Sequence, residues 1–187
     1  MATNITPQAW NVLDSVGGYL PLDVADAGAA TANSGATVYP VQPSSLGKVV
    51  RAVNATYGVG EFILLKSAAS TLVGSLVRYN ATTWQATLNP NTANLAGPVA
   101  VAMAASSAGS EFVWHQIGGL AVIKKTAVQV APGVAVYQSA TAGRIMNTQA
   151  SGKQILGAKS ANLTTVTSTT STLVVLLDRP HMQGQVV

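Results

Sequence analysis

Cysteine is missing from the chain altogether, which excludes disulfides and thiolate metal sites. Charge is scarce: Asp, Glu, Lys and Arg make up 9% of the 187 residues, against roughly 25% in an average soluble domain. Histidine occurs twice, at His115 and His181, and carboxylates six times, which leaves little for acid–base pairs or for a zinc arrangement of the H-E-x-x-H kind. The longest apolar run, Val99 to Ala105, is far short of the roughly 20 residues that span a bilayer, so no membrane partner is expected. Met1-Ala2-Thr3-Asn4 has no basic start and no apolar stretch behind it, and no secretory signal is expected.

With few charges, the exterior must be covered by Thr, Ser, Asn, Gln and Ala. Such a surface is cheap to desolvate, because few ionic groups lose water when it meets a partner. Stability has to come from packing, β-pairing and oligomerisation. The length suits one domain with a core plus an arm, or two very small domains.

What is present is a repeat. FILLKSAASTLVGSLVRYNATTWQAT (62–87) aligns without gaps on AVIKKTAVQVAPGVAVYQSATAGRIM (121–146) at an offset of 59, matching Lys66 to Lys125, Gly74 to Gly133 and Val77 to Val136. After small gaps, Ser110–Trp114 parallels Ser171–Val175. Two copies with so long a period do not make a solenoid. Duplication of a small β-unit is the expected explanation, with repeats at about 61–117 and 120–178.

From Lys48 onward short apolar or alternating runs are separated by turn residues. Strands are expected at Val49–Val53, Glu61–Lys66, Leu76–Asn80, Thr83–Leu88, Val99–Ala104, Glu111–Gln116, Ala121–Thr126, Val134–Gln138, Arg144–Asn147, Ile155–Ser160 and Thr172–Leu177. Short strands so evenly spaced predict an all-β body, a duplicated small barrel or sandwich over 48–187. The Thr/Ser run Thr164–Thr172 reads as an exposed loop or an irregular edge strand. Four glycosylation triplets, at Asn4, Asn54, Asn80 and Asn162, are expected by accident in a Thr-rich chain.

Residues 1–47 differ. Thr6, Pro7 and Gly17-Gly18 frame a short amphipathic helix carrying Ala9, Trp10, Leu13 and Val16. A Pro-rich, small-residue stretch follows, and the whole reads as an extended arm over the body or a neighbouring subunit. The arm holds Asp14, Asp23 and Asp26 and no cation, a charge of −3, whereas 48–187 carries ten basic side chains against Glu61, Glu111 and Asp178, a net +7. An acidic arm docking on a neighbour's basic body is one explanation; chance in a charge-poor chain is the other. The basic residues are scattered, so nucleic acid is not expected as a partner.

Chemistry is thin. His115 sits in EFVWHQ and reads first as a strand or interface histidine, with a catalytic or metal role as the alternative. No G-x-S-x-G elbow or phosphate loop occurs, and Ser45-Leu46-Gly47-Lys48 matches S-x-x-K without its companion motifs. No catalytic residue, cofactor or metal is expected. Trp84 and Trp114 come from the first repeat only, with Gly143 and Val175 at the matching places; core packing and partner anchoring are both open for them.

The second repeat carries a further pattern: Ala121–Thr126, then Gly133-Val134-Ala135-Val136-Tyr137, a short turn into Arg144–Thr148, Ile155-Leu156-Gly157-Ala158 with Ala161, and Leu173–Leu177. It resembles the capsid decoration, or cement, proteins of tailed bacteriophages. The resemblance covers about residues 120–180, extends loosely to the first repeat, and does not cover 1–60. It implies a non-enzymatic virion protein, made in the host cytoplasm and placed on the capsid exterior. It also implies a homotrimer that clamps the phage major capsid protein across capsomer contacts.

On that expectation the partner-binding residues are Trp10, Leu13, Tyr19, Leu20 and Tyr39 of the arm, with Trp84 and Trp114 of the body. A tail or head-fibre component is the structural alternative. A carbohydrate- or host-surface-binding module using Trp84, Trp114 or the Thr-rich loop is the alternative from another class.

Overall fold

The computed structural model describes residues 11–12 and 46–185. Among them the fold is all-β, as expected: one hydrogen-bonded sheet system with no helix. The strands are β1 (Asn11–Val12), β2 (Val49–Asn54), β3 (Gly58–Lys66), β4 (Leu76–Tyr79), β5 (Ala86–Leu88), β6 (Ala96–Ala102), β7 (Phe112–Lys124), β8 (Ala135–Gln138), β9 (Ile145–Met146), β10 (Gln154–Ser160) and β11 (Thr172–Gln183). The main path runs β1-β2-β3-β7-β6-β11-β10-β8-β9, with β4 joining β5 to β6 and β7 also pairing β11. All the strand–strand pairings are antiparallel.

Asn11–Val12, inside the span expected to be helical, pair instead as strand with Val53 and Ala52. The rest of that span lies outside the described residues. A second correction concerns Glu111–Gln116 and Ala121–Thr126, expected as two strands either side of a seam. They form the single 13-residue strand β7. Gly118-Gly119 does not end it. A β-carbon on Gly119 would stand 2.3 Å from Val59 O and 3.0 Å from Gly60 Cα, so only a bare α-carbon lets β3 pass this close. β7 pairs β3 along Phe112–Gly118 and β11 along Gly118–Lys124, and so belongs to both halves. β11 likewise runs past its expected end at Leu177. It leaves β7 at Asp178 and pairs β6 over His181–Gln183, with Pro180, which has no N–H to donate, at the crossing.

Burial follows the sequence periods. β11 alternates because one face meets the core, whereas Phe62-Ile63-Leu64-Leu65 of β3 is buried on both faces. On one face of β3, Phe62 and Leu64 join Val50, Ala52, Phe112 and Trp114; on the other, Ile63 and Leu65 join Val77, Ala86, Ala100 and Ile117. A third cluster spans the halves, with Leu76, Val99 and Val101 packed against Ile123, Val136, Ile145, Ile155, Leu173 and Val175. Full burial of such a side chain is worth about 1.5–3 kcal/mol, so the joint between the halves is apolar core rather than a linker.

The same backbone hydrogen bonds recur 58 to 60 residues apart. Gly74 N donates to Ala102 O at 2.8 Å and Gly133 N to Ser160 O at 3.0 Å; Ala102 N donates to Ser75 O and Ser160 N to Val134 O. Asn80 N donates to Gln85 O as Ser139 N does to Arg144 O, both at 3.0 Å. The bridge between Thr71 and Ser106 is matched by Val130 and Val166, and the parallel bridge Lys66–Gln85 by Lys125–Ile145.

Candidate functional site

Of the expected partner-binding residues, Trp10, Leu13, Tyr19, Leu20 and Tyr39 lie outside the described residues. Trp114 is core, not a surface anchor: it is 1% exposed, in the cluster of Phe62, Leu64 and Phe112. In β7 it stands opposite Leu64 of β3. Trp84 is half-buried on the opposite face of β3, against the cluster of Ile63, Leu65 and Val77. The two indoles are therefore not brought together. Asn54 and Asn80, read as accidental glycosylation triplets, shape turns: each side-chain oxygen accepts from the backbone N–H groups two and three residues on.

The unusual titratable groups serve the fold. His115 is fully buried; its Nδ1 lies 2.8 Å from Val113 O, and its Nε2 has no hydrogen-bond partner. Burial depresses its pKa to about 4, against a smaller opposing effect of the Val113 carbonyl. Lys125 is also fully buried, and burial pushes its pKa down. Its Nζ donates to Val128 O at 2.7 Å, Thr167 O at 2.9 Å and Thr126 O at 3.3 Å, using all three protons of an ammonium. Lys125 thereby ties the Thr-rich segment to the turn after β7. Nothing in the sequence distinguished it from its half-buried neighbours Lys124 and Thr126. Burial raises the Glu111 pKa, but hydrogen bonds from Ser106, Ala108 and Ser107 outweigh that and hold it low, fixing the 106–111 turn.

One groove of about 490 Å³ opens at the β4–β5 turn and the start of β6, lined by Arg78, Tyr79, Asn80, Gln85 and Pro98 among others. Gln85 Nε2 is held by the carbonyls of Lys66, Ser67 and Ala86, which orients its amide. Arg78 Nη1 makes one long bond of 3.4 Å, to Ala96 O. The groove is shallow in chemistry: it has donors and acceptors for a polar ligand but no paired acid and base. Among the described residues no group of three or more His, Asp or Glu side chains is placed to hold a metal ion.

No family model, curated protein or solved structure matches the chain.

Proposed function

We propose that the chain is a non-enzymatic structural protein of a tailed-phage particle. Its body is two fused β-modules related by duplication, and it binds the outer face of the capsid as a homotrimer, tying neighbouring major capsid proteins together. Residues 1–47 serve as an arm. The observation that carries this reading is the recurrence of one backbone bond set at a spacing of 58 to 60 residues. In each half the parallel bridge, Lys66–Gln85 or Lys125–Ile145, draws the third strand back to the first and supports a small closed barrel. Full closure removes free sheet edges and stiffens the module. A stiff, doubled body with few surface ions suits a molecule whose exterior is covered by other subunits. The β-rich second repeat also carries the pattern by which the sequence resembles decoration proteins.

A stable shell contact needs an interface of about 1,200–2,000 Å², and repeated copies make it cumulative by favouring the assembled state. The deciding experiment is co-sedimentation of the purified full chain with undecorated, expanded capsids and with unexpanded ones. Saturable binding to expanded shells is expected, together with a higher temperature of shell disruption. Absence of binding to either shell would sink the proposal.

A further inference from the structure

Two cations of the second module stand side by side, and among the described residues no carboxylate pairs with either. Lys124 ends β7 and Arg144 precedes β9, and the parallel bridge between Lys125 and Ile145 makes them cross-strand neighbours. Both are half-buried. Arg144 Nη1 donates to Lys125 O at 3.3 Å, which holds the guanidinium against the strand. Burial, and after it the charge of Arg144, lowers the pKa of Lys124. Like charges directly opposite one another destabilise a sheet. The first module avoids this: there Gln85 Nε2 donates to Lys66 O, also at 3.3 Å, a neutral amide in the part Arg144 plays.

The carboxylates within the body are otherwise engaged or remote. Glu61 pairs with Arg179 at 3.1 Å, Glu111 is bonded within its own turn, and Asp178 faces Gly118 at the other end of the β7–β11 ladder from Lys124. The chain's other acids are Asp14, Asp23 and Asp26, in a stretch of 47 residues with no Lys or Arg.

We infer that Lys124 and Arg144 form a carboxylate-binding site whose occupant is the acidic stretch around Asp23 and Asp26 of a neighbouring copy of this chain. An arginine fork beside a lysine matches the two oxygens of a carboxylate and relieves the repulsion between the cations. The reach is sufficient. Residues 13–45 connect Val12, paired on β2, to Leu46, packed on the core beside β2. At about 3.3 Å per residue the chain length from Val12 allows Asp23 and Asp26 a reach of roughly 35–45 Å, well beyond the roughly 14 Å radius of gyration of a body this size, whereas Asp14, two residues from Val12, is limited to about 7 Å. The contact is heterologous, arm of one copy on body of the next, and closes into a ring when the rotation allows. It rests on the self-association in the proposed function and not on capsid binding.

The test is sedimentation velocity of the full chain at low and moderate salt, with near-ultraviolet circular dichroism to confirm folding. The wild type is expected to self-associate, less so as salt rises. Lys124→Gln with Arg144→Gln, and separately Asp14→Asn with Asp23→Asn and Asp26→Asn, are each expected to raise the dissociation constant about tenfold or more. A charge exchange, K124E and R144E combined with D14K, D23K and D26K, is expected to restore association. A wild-type monomer at all concentrations overturns the inference, as does association indifferent to the glutamine pair. Sensitivity to the glutamine pair without sensitivity to the asparagine triple also overturns it, because the acid then comes from elsewhere. A variant that no longer self-associates but still co-sediments with shells separates this site from capsid binding.

Discussion

The indole of Trp84 fills the space beside Gly47: a β-carbon on Gly47 would lie 2.4 Å from Trp84 Cε2. To reach it Trp84 holds φ at 56°, in the left-handed region that bulky residues seldom enter. At the turn 59 residues on stands Gly143, with φ at 71°. One half makes the turn with the residue suited to it. The other accepts about 1–3 kcal/mol of backbone strain, offset by the packing of the ring on Gly47 and on the Ile63, Leu65 and Val77 cluster. Trp84 thereby fixes the point where the N-terminal segment enters the body.

Replacing Gly47 by Ala expels the indole and places a side chain at φ +80°, so a loss of about 3 kcal/mol is expected. Trp84→Gly loses the same packing but also relieves the strain, and about 1 kcal/mol is expected. Urea unfolding of the two variants checks the order. Trp84→Gly proving the more damaging would mean that the packing of the ring outweighs the strain by far more than expected.

Strand positions were legible because periods of two and double-faced apolar runs are local: Glu61–Lys66 and Ile155–Ser160 needed nothing beyond the sequence. What was not legible depends on contact with a distant strand. Gly118-Gly119 reads as a break, and only the passage of Val59 and Gly60 across it makes it mid-strand. The gap-free repeat matched Lys66 with Lys125, yet Lys66 is half-exposed and Lys125 fully buried. The parallel bridges still match Lys66 with Lys125, but Ser67 N donates to Glu111 O as Lys125 N does to Ser171 O, so this ladder is one residue out of step with the bridges. A slip of one residue reverses the face of every side chain in a strand, and nothing in the alignment revealed it. The cation pair Lys124–Arg144 was invisible for the same reason, since its members meet through a bridge between separate strands.

His115 makes stability depend on pH. Its folded pKa is about 4 against 6.5 unperturbed, so the unfolded chain takes up a proton first as pH falls. Stability is therefore complete above the unfolded value and declines as pH drops from about 6.5 towards 4. Between pH 7 and pH 5 the expected loss is about 2 kcal/mol, measured by urea unfolding. His115→Leu should flatten the profile over that range, and an unchanged slope would rule out His115 as its source.

Lys125→Met leaves the carbonyls of Val128, Thr167 and Thr126 without the donor they share. Unsatisfied buried groups cost about 1–3 kcal/mol each, and partial access of water keeps the expected total near 3 kcal/mol. The loss should be local in its dynamics. Hydrogen exchange at the amides of Val130 and Val166, which bond each other across the loop, should quicken well before exchange in β3. Uniform acceleration throughout the body would show that Lys125 supports the whole core rather than one loop.

Leu163 is 98% exposed, on a loop held by Lys125 and by the Val130–Val166 bridge. A leucine held out in water by an ordered loop contributes nothing to folding, but it contributes to binding if a partner covers it. Covering it is worth about 1.5–3 kcal/mol, which is roughly a factor of ten or more in affinity. Leu163→Ser should therefore leave the melting temperature unchanged while weakening co-sedimentation with expanded capsids about tenfold. Leu72, 52% exposed on the loop before β4, is the control for a general effect of surface polarity. Equal loss from Leu72→Ser and Leu163→Ser would mean that the shell reads overall apolar exposure. Loss from Leu163→Ser alone would place the Thr-rich loop in the contact. No loss from either would place both loops outside the interface.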